Sequence, residues 1–314
     1  MPFPDGRLMV WCKPQNMTSP RSISKKYKIH PRKRLGQSFL RDGNVVRKIV
    51  VSAGLEPVDS VIEIGAGMGV MTAEIAALVK NVLAVEVDPN LILVLNDVLK
   101  NTQNVRIVHK DVLTYDLSQA ARELDVDKIK ILGNIPYSIS SPILFHLLDY
   151  RRIISRAVLM VQKEVAERIC AGVGTKSYGI PSVLTAVYAK ATMALTVPAG
   201  CFYPEPKVTS AVIVLDFRSE PLCFIADEPF FQQIVRLAFS SRRKTLMNNL
   251  RHSRDVMCSE ECLQRILESL GIDLRIRGEA LSPEQFITLS NAIFQERNSG
   301  NSNSPSNFSK MRKE

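Results

Sequence analysis

No run in this sequence reaches the ~18 consecutive apolar residues that a membrane-crossing helix requires. Hydrophobic residues make up 46% of the chain, but they fall in short bursts between charged and turn residues, as in a packed core. Cysteine is sparse and scattered: Cys12, Cys170, Cys201, Cys223, Cys258 and Cys262 offer one close C-x3-C pair, with no second pair or histidine cluster at zinc spacing. No metal is expected, and the thiols read as free groups in a reducing compartment. The four histidines (His30, His109, His146, His252) have no triad or metal spacing, so chemistry by a tuned imidazole is not indicated. No lysine-bearing phosphate loop occurs, so phosphate cradling is not indicated either. Acid is nearly missing from the first 35 residues, where nine Lys or Arg face Asp5 alone. Lacking an apolar core of roughly 7–15 residues, that leader is not a secretory signal. A disordered basic extension over 1–30 is expected, with an organellar (mitochondrial or plastid) transit peptide as the alternative to a cytoplasmic protein. Residues 297–314, rich in Ser and Asn, are expected to be a disordered tail.

What the chain does have is base. Lys plus Arg number 41 against 31 acids, a net charge of +10 and a pI near 9.4. That excess favours a polyanionic partner, nucleic acid ahead of a membrane surface. From residue 42 onward, strand and helix signals alternate. "NVVRKIVVSAG" is a helix stopped by Gly54, and "SVIEIG" a short buried strand before a glycine-rich turn and the helix "MTAEIAALVK". "NVLAVEVD" is a second strand, followed by a helix opened by Pro89. "VRIVHKD", "KIKILGN" and "RAVLMVQ" read as three more strands. Strict alternation means βαβ units and a parallel sheet. After 176 the pattern changes to two strands, "KATMALTVP" and "SAVIVLDF", with no helix between them, expected as an antiparallel pair at the sheet edge. Their connector "AGCFYPEPKVT" is expected to be an extended loop. From about 220 to 296 everything reads as helix. The expected organisation is therefore an α/β domain over 31–219 and a small helical domain over 220–296.

Chemistry gathers at the strand ends. Gly65, Gly67 and Gly69 follow the first strand directly, where backbone must approach a ligand closely. A dinucleotide fingerprint needs glycine at position 70, which is Val70, so that reading weakens. Glu86 ends the second strand, 21 residues after Gly65, where a carboxylate can take both hydroxyls of a ribose. Asp111 ends the third, where a carboxylate can accept from an adenine amine. The three converge on the crevice at which open α/β sheets bind ligands. An adenosine without phosphates suits it, and S-adenosylmethionine is the commonest cofactor of that kind.

In "LGNIPYSISSPIL", Gly133-Asn134 before Ile135-Pro136 reads as a forced bend, because Pro136 removes a donor and pushes Ile135 into an extended conformation. A base amine is a poor nucleophile, since its lone pair is delocalised into the ring. The Asn134 oxygen and the Ile135 carbonyl could accept its two hydrogens and localise that lone pair, while Tyr137 stacks on the ring. The alternative is a rigid turn with a core tyrosine.

These blocks resemble the small-subunit ribosomal RNA adenine N6,N6-dimethyltransferases, from about Arg32 to Leu250. The marks are "RKRLGQSFL", "EIGAGMG", Glu86, "KDVL", "GNIPYSISSPIL", "VQKEVAERI", "YGIPSV", "FYPEPKVTSAVI" and "AFSSRRKTLMNNL". The resemblance implies a class I S-adenosylmethionine-dependent methyltransferase sheet, Rossmann-like, with a C-terminal all-helical domain. It implies transfer of four methyl groups to two adjacent adenosines near the 3′ end of small-subunit rRNA. The partner would be a small ribosomal subunit particle, the enzyme a cytoplasmic monomer that needs no membrane. Carried over by position, cofactor contacts fall on Ser38, Leu40, Gly65, Glu86, Asp111 and Asn134. The base is held by Asn134, Ile135, Pro136 and Tyr137, with Phe202 as a second stacking ring. One departure is Gln37-Ser38-Phe39-Leu40, where the family has Q-N-F-L; serine reaches less far, which leaves a backbone contact at 38. Relatives that methylate large-subunit rRNA share N-I-P-Y and F-x-P-x-P-K, whereas "AFSSRRKTLMNNL" looks like the small-subunit group. Its Arg242, Arg243 and Lys244 are expected to meet RNA phosphates. A second reading is a large-subunit rRNA or DNA N6-adenine methyltransferase, and a third is a ribosome-assembly or transcription factor that kept the fold without catalysis.

Overall fold

The computed structural model describes residues 20–32, 35–251, 253, 256 and 258–301. Its frame is a seven-stranded sheet. Five strands are parallel: β2 (Ser60–Ile64), β3 (Asn81–Glu86), β4 (Val105–His109), β5 (Ile129–Asn134) and β6 (Ile154–Gln162). The edge pair, β7 (Ala189–Val197) and β9 (Ser210–Phe217), pairs antiparallel, with β9 also antiparallel to β6. The order is β4-β3-β2-β5-β6-β9-β7. The chain steps outward from β2 in one direction and resumes on its other side with β5. That reversal opens a crevice beyond the carboxyl ends of β2 and β5.

Each expected strand and the edge pair are present, because V-I-x-I and V-L-A-V runs buried on both faces can only be central strands. One face of the sheet packs on α2 (Gly43–Ser52) and α3 (Val70–Ala76), through Val61, Leu132, Val158 and Val212. Asp42 starts α2 by accepting the Asn44 and Val45 N–H groups. Next to α3 on the chain, α4 (Pro89–Val98) is capped by Asp88 and packs Leu95 against Ala84. The other face carries α5 (Leu117–Glu123), α6 (Ser140–Asp149), α7 (Lys163–Ile169) and α8 (Ile180–Tyr188). Its core runs on without a break, from Ile62, Leu83 and Ile131 in the sheet to Phe230, Leu246, Leu263 and Phe286 in the C-terminal helices. Those helices are α9 (Glu228–Ala238), α10 (Leu246–Leu250), α11 (Glu260–Ser269) and α12 (Pro283–Asn301), and α9 and α12 both lie against α8.

Three local expectations change. Within the stretch expected to be disordered, residues 20–26 form helix α1 (Pro20–Lys26), which docks Ile23 beside Leu91 and Val94 and sets Lys26 and Tyr27 on the Asp97 carboxylate; residues 1–19 lie outside the described ones. Helix α12 runs to Asn301, past the expected end at 296, and the rest of the expected tail is outside the described residues. The connector after β7 is not simply extended. It turns at 199–201 and forms β8 (Phe202–Tyr203), paired antiparallel with β1 (Phe39–Leu40). No helix among the described residues is long and apolar enough to cross a membrane.

Candidate active site

The glycine turn owes its shape to left-handed backbone: φ is +70° at Gly65, +60° at Gly67 and +78° at Gly69. A Cβ at Gly67 would only touch the Phe39 ring, at 3.4 Å, so the left-handed backbone and not crowding is what calls for glycine there. The Gly67 N–H donates to Glu86 Oε2 at 2.9 Å, while the Val87 and Asp88 N–H groups donate to Oε1, each at 2.9 Å. Glu86 is 5% exposed, and burial raises its pKa against the pull of those three donors. Oε1 has both lone pairs occupied and Oε2 has one to spare. The carboxylate can therefore accept a further hydroxyl at Oε2.

Gly133 is not the bend that the sequence implied. It lies inside β5 opposite Ile64, and a Cβ there would meet the Ile64 carbonyl oxygen at 2.9 Å. The strand continues through Asn134 and the chain turns at Ile135-Pro136. Asn134 Nδ2 donates to the Ser38 carbonyl at 2.8 Å, which fixes the amide and leaves Oδ1 as the acceptor toward the crevice. Ser38 Oγ donates to the Pro204 carbonyl at 2.6 Å, which leaves the backbone of residue 38 as what it can offer a ligand. Ile135 has a buried side chain and an N–H bonded to the Met160 carbonyl at 3.0 Å, so its backbone is what it can offer. Tyr137 and Pro136 line the crevice, and the Tyr137 hydroxyl bonds Ser210 Oγ at 2.7 Å. Asp111 also lines the crevice and accepts the Leu113 N–H.

The crevice brings together Gly65, Glu86, Asp111, Asn134, Pro136 and Tyr137 with residues 35–39. Leu40 borders a smaller adjoining hollow shared with Gly65, Gly67 and Asn134. Phe202 does not line the crevice. It is 2% exposed, packed with Leu40, Val45 and Val197 beneath the sheet, so its ring is a core ring and not a stacking surface.

One residue that the sequence reading passed over stands out. Glu63, in the middle of β2, is 1% exposed and borders the smaller hollow. Burial first, and then the charge of Glu86, push its carboxyl up to about 8 against the opposing pull of Thr72. Its Oε2 has no hydrogen-bond partner among the described residues. The signal was an acid inside the apolar run V-I-E-I.

A family model of the ribosomal RNA adenine dimethylases matches residues 29–295. The chain belongs to this family. A ribosomal RNA small subunit methyltransferase A of Syntrophus aciditrophicus is 48% identical over 277 residues, 88% of this chain and 99% of that protein. One from Geobacillus thermodenitrificans is 42% identical, over 87% and 94%. Among solved structures, a dimethyladenosine transferase from Plasmodium falciparum superposes with a TM-score of 0.71 at 26% identity, covering 84% of this chain and 98% of that one. The 23S rRNA methyltransferase ErmE superposes with a TM-score of 0.64 at 27% identity, over 82% and 100%. The α/β sheet with C-terminal helices is the class I S-adenosylmethionine-dependent methyltransferase fold expected from the sequence.

In this dimethylase the basic triplet is split in role. Arg242 Nη2 donates to the Lys176 and Tyr178 carbonyls at 2.9 Å each, tying the turn before α10 to the segment before α8. Arg243 and Lys244 are exposed and form no ion pair among the described residues. Arg242 is exposed as well but carries this second, structural contact, which its two neighbours lack among the described residues.

Proposed function

We propose that this dimethylase transfers methyl groups from S-adenosylmethionine to N6 of two adjacent adenosines near the 3′ end of small-subunit ribosomal RNA, acting as a cytoplasmic monomer on a ribosomal particle. The observation that carries the chemistry is the pinned Asn134 amide, whose nitrogen is spent on Ser38 and whose oxygen is left to accept.

The donor set fits the cofactor. Glu86 has one free lone pair for a ribose hydroxyl, and Asp111 sits where an adenine amine can be met. S-adenosylmethionine, when bound, supplies an electrophilic methyl group on a sulfonium. The chain's own work is positioning. Asn134 Oδ1 and the Ile135 carbonyl accept the two hydrogens of the target amine, draw its lone pair out of the ring and aim it at the crevice. Tyr137, held by Ser210, offers a ring face for a base taken out of its stack. No side chain has to remove a proton before attack, because the amine sheds it after the methyl has moved.

The test is methyl transfer from labelled S-adenosylmethionine to purified unmethylated small and large subunits. Transfer to the small subunit alone is expected, and Asn134→Ala should lower turnover roughly 100–1,000-fold with the fold retained. Transfer only to the large subunit would place the chain with the ErmE-like enzymes. Binding of particles with no transfer would make it an assembly factor. Normal turnover by the variant would refute the base-holding geometry.

A further inference from the structure

Asp88 lies two residues beyond Glu86 and does not line the crevice, yet it is 2% exposed and fully engaged. Its Oδ1 accepts the Asn90 N–H at 3.0 Å, the ordinary duty of a helix cap. The remaining contacts have nothing to do with α4. Oδ1 also faces Arg32 Nη1 at 3.2 Å, Oδ2 accepts from Gln37 Nε2 at 2.8 Å, and the Asp88 N–H donates to Glu86 Oε1. Gln37 Oε1 in turn accepts the Arg32 N–H at 2.8 Å. The next residue, Ser38, carries the carbonyl that orients Asn134. A continuous polar path thus runs Glu86–Asp88–Gln37–Ser38–Asn134, from the ribose end of the crevice to the base end.

We propose that Asp88 is a positioning residue for S-adenosylmethionine, holding Gln37 and Ser38 over the crevice while its own N–H fixes the Glu86 carboxylate. This rests on the assignment of Glu86 to the ribose. The donor pattern makes the arrangement one-way. The Gln37 amide cannot turn around, because its oxygen is needed by the Arg32 N–H and its nitrogen by a carboxylate. Asp88→Asn keeps the helix cap through one oxygen but sets an NH₂ against the Gln37 NH₂ and removes the charge facing Arg32. Gln37→Glu sets two carboxylates together. In the double variant, Glu at 37 accepts from both Asn at 88 and the Arg32 N–H, so the pattern is restored with its polarity reversed and Arg32 regains an anion.

The experiment measures S-adenosylhomocysteine binding by calorimetry on the full chain, with KM for S-adenosylmethionine and kcat, for the wild type, Glu86→Gln, Asp88→Asn, Gln37→Glu and the double variant. Each single change at 37 or 88 should weaken binding about tenfold, the size of one lost charge-assisted hydrogen bond. KM should rise in step and kcat change far less. The double variant should return to within about threefold of the wild type, since contacting partners are not additive. Wild-type affinity in Asp88→Asn would overturn the proposal. So would a double variant no tighter than the singles, which would leave Asp88 a merely structural cap. Wild-type affinity in Glu86→Gln would instead overturn the ribose assignment beneath it, so the two failures are distinguishable.

Discussion

Glu63 turns burial into a measurable pH dependence. Its carboxyl is raised from an unfolded value of 4.5 to about 8. Between those values the folded chain keeps a proton that the unfolded chain has lost, so folding stability falls as pH rises through this window and levels off above it. The slope is about 1.4 kcal/mol per pH unit for a single group. Glu63→Gln keeps the shape and removes the titration. Thermal melts at pH 5, 6, 7 and 8 should show the variant gaining on the wild type as pH rises. Parallel curves would mean that Glu63 ionises in place, and that the smaller hollow is better solvated than its 1% exposure implies.

At the scale of elements, the two-stranded ribbon of β1 and β8 decides what Phe202 does. The ribbon lays Phe202 opposite Leu40 and turns its ring into the core beside α2. Phe202→Leu should therefore cost roughly 1–2 kcal/mol of stability in chemical denaturation with a modest loss of turnover. Tyr137→Ala, at the crevice wall, should do the reverse. A Phe202 variant of normal stability and abolished turnover would return the ring to the base. This ribbon also marks where sequence reading stops. The strands and their order of ends were legible, because continuous V/I/L runs between turn signals leave few alternatives. So were Gly65, Glu86, Asp111 and Asn134, each at or just past the carboxyl end of a strand. Pairing between Phe39 and Tyr203 was not legible, since two-residue strands far apart in the chain carry no periodicity. For the same reason Arg242 looked like its neighbours: nothing in R-R-K says which guanidinium will find two carbonyls.

Over the whole molecule, the unbroken core fixes the C-terminal helices on the sheet, so a surface charge on the turn before α10 has a defined position relative to the crevice. With a net charge of +10, particle binding should weaken steeply with salt, each phosphate neutralised contributing about −0.7 to −0.9 to the log–log slope. The division within the triplet then becomes testable. Arg243→Ala and Lys244→Ala should each flatten the slope by about one phosphate's share and leave the melting temperature unchanged. Arg242→Ala should instead lower the melting temperature, because it frees the Lys176 and Tyr178 carbonyls and unties the turn from α8. Filter binding of labelled particles across a salt series, beside thermal melts of the three variants, separates the two effects. Equal flattening by all three would make Arg242 a phosphate contact after all. A slope that none of them changes would move the RNA track off this turn and onto another basic face.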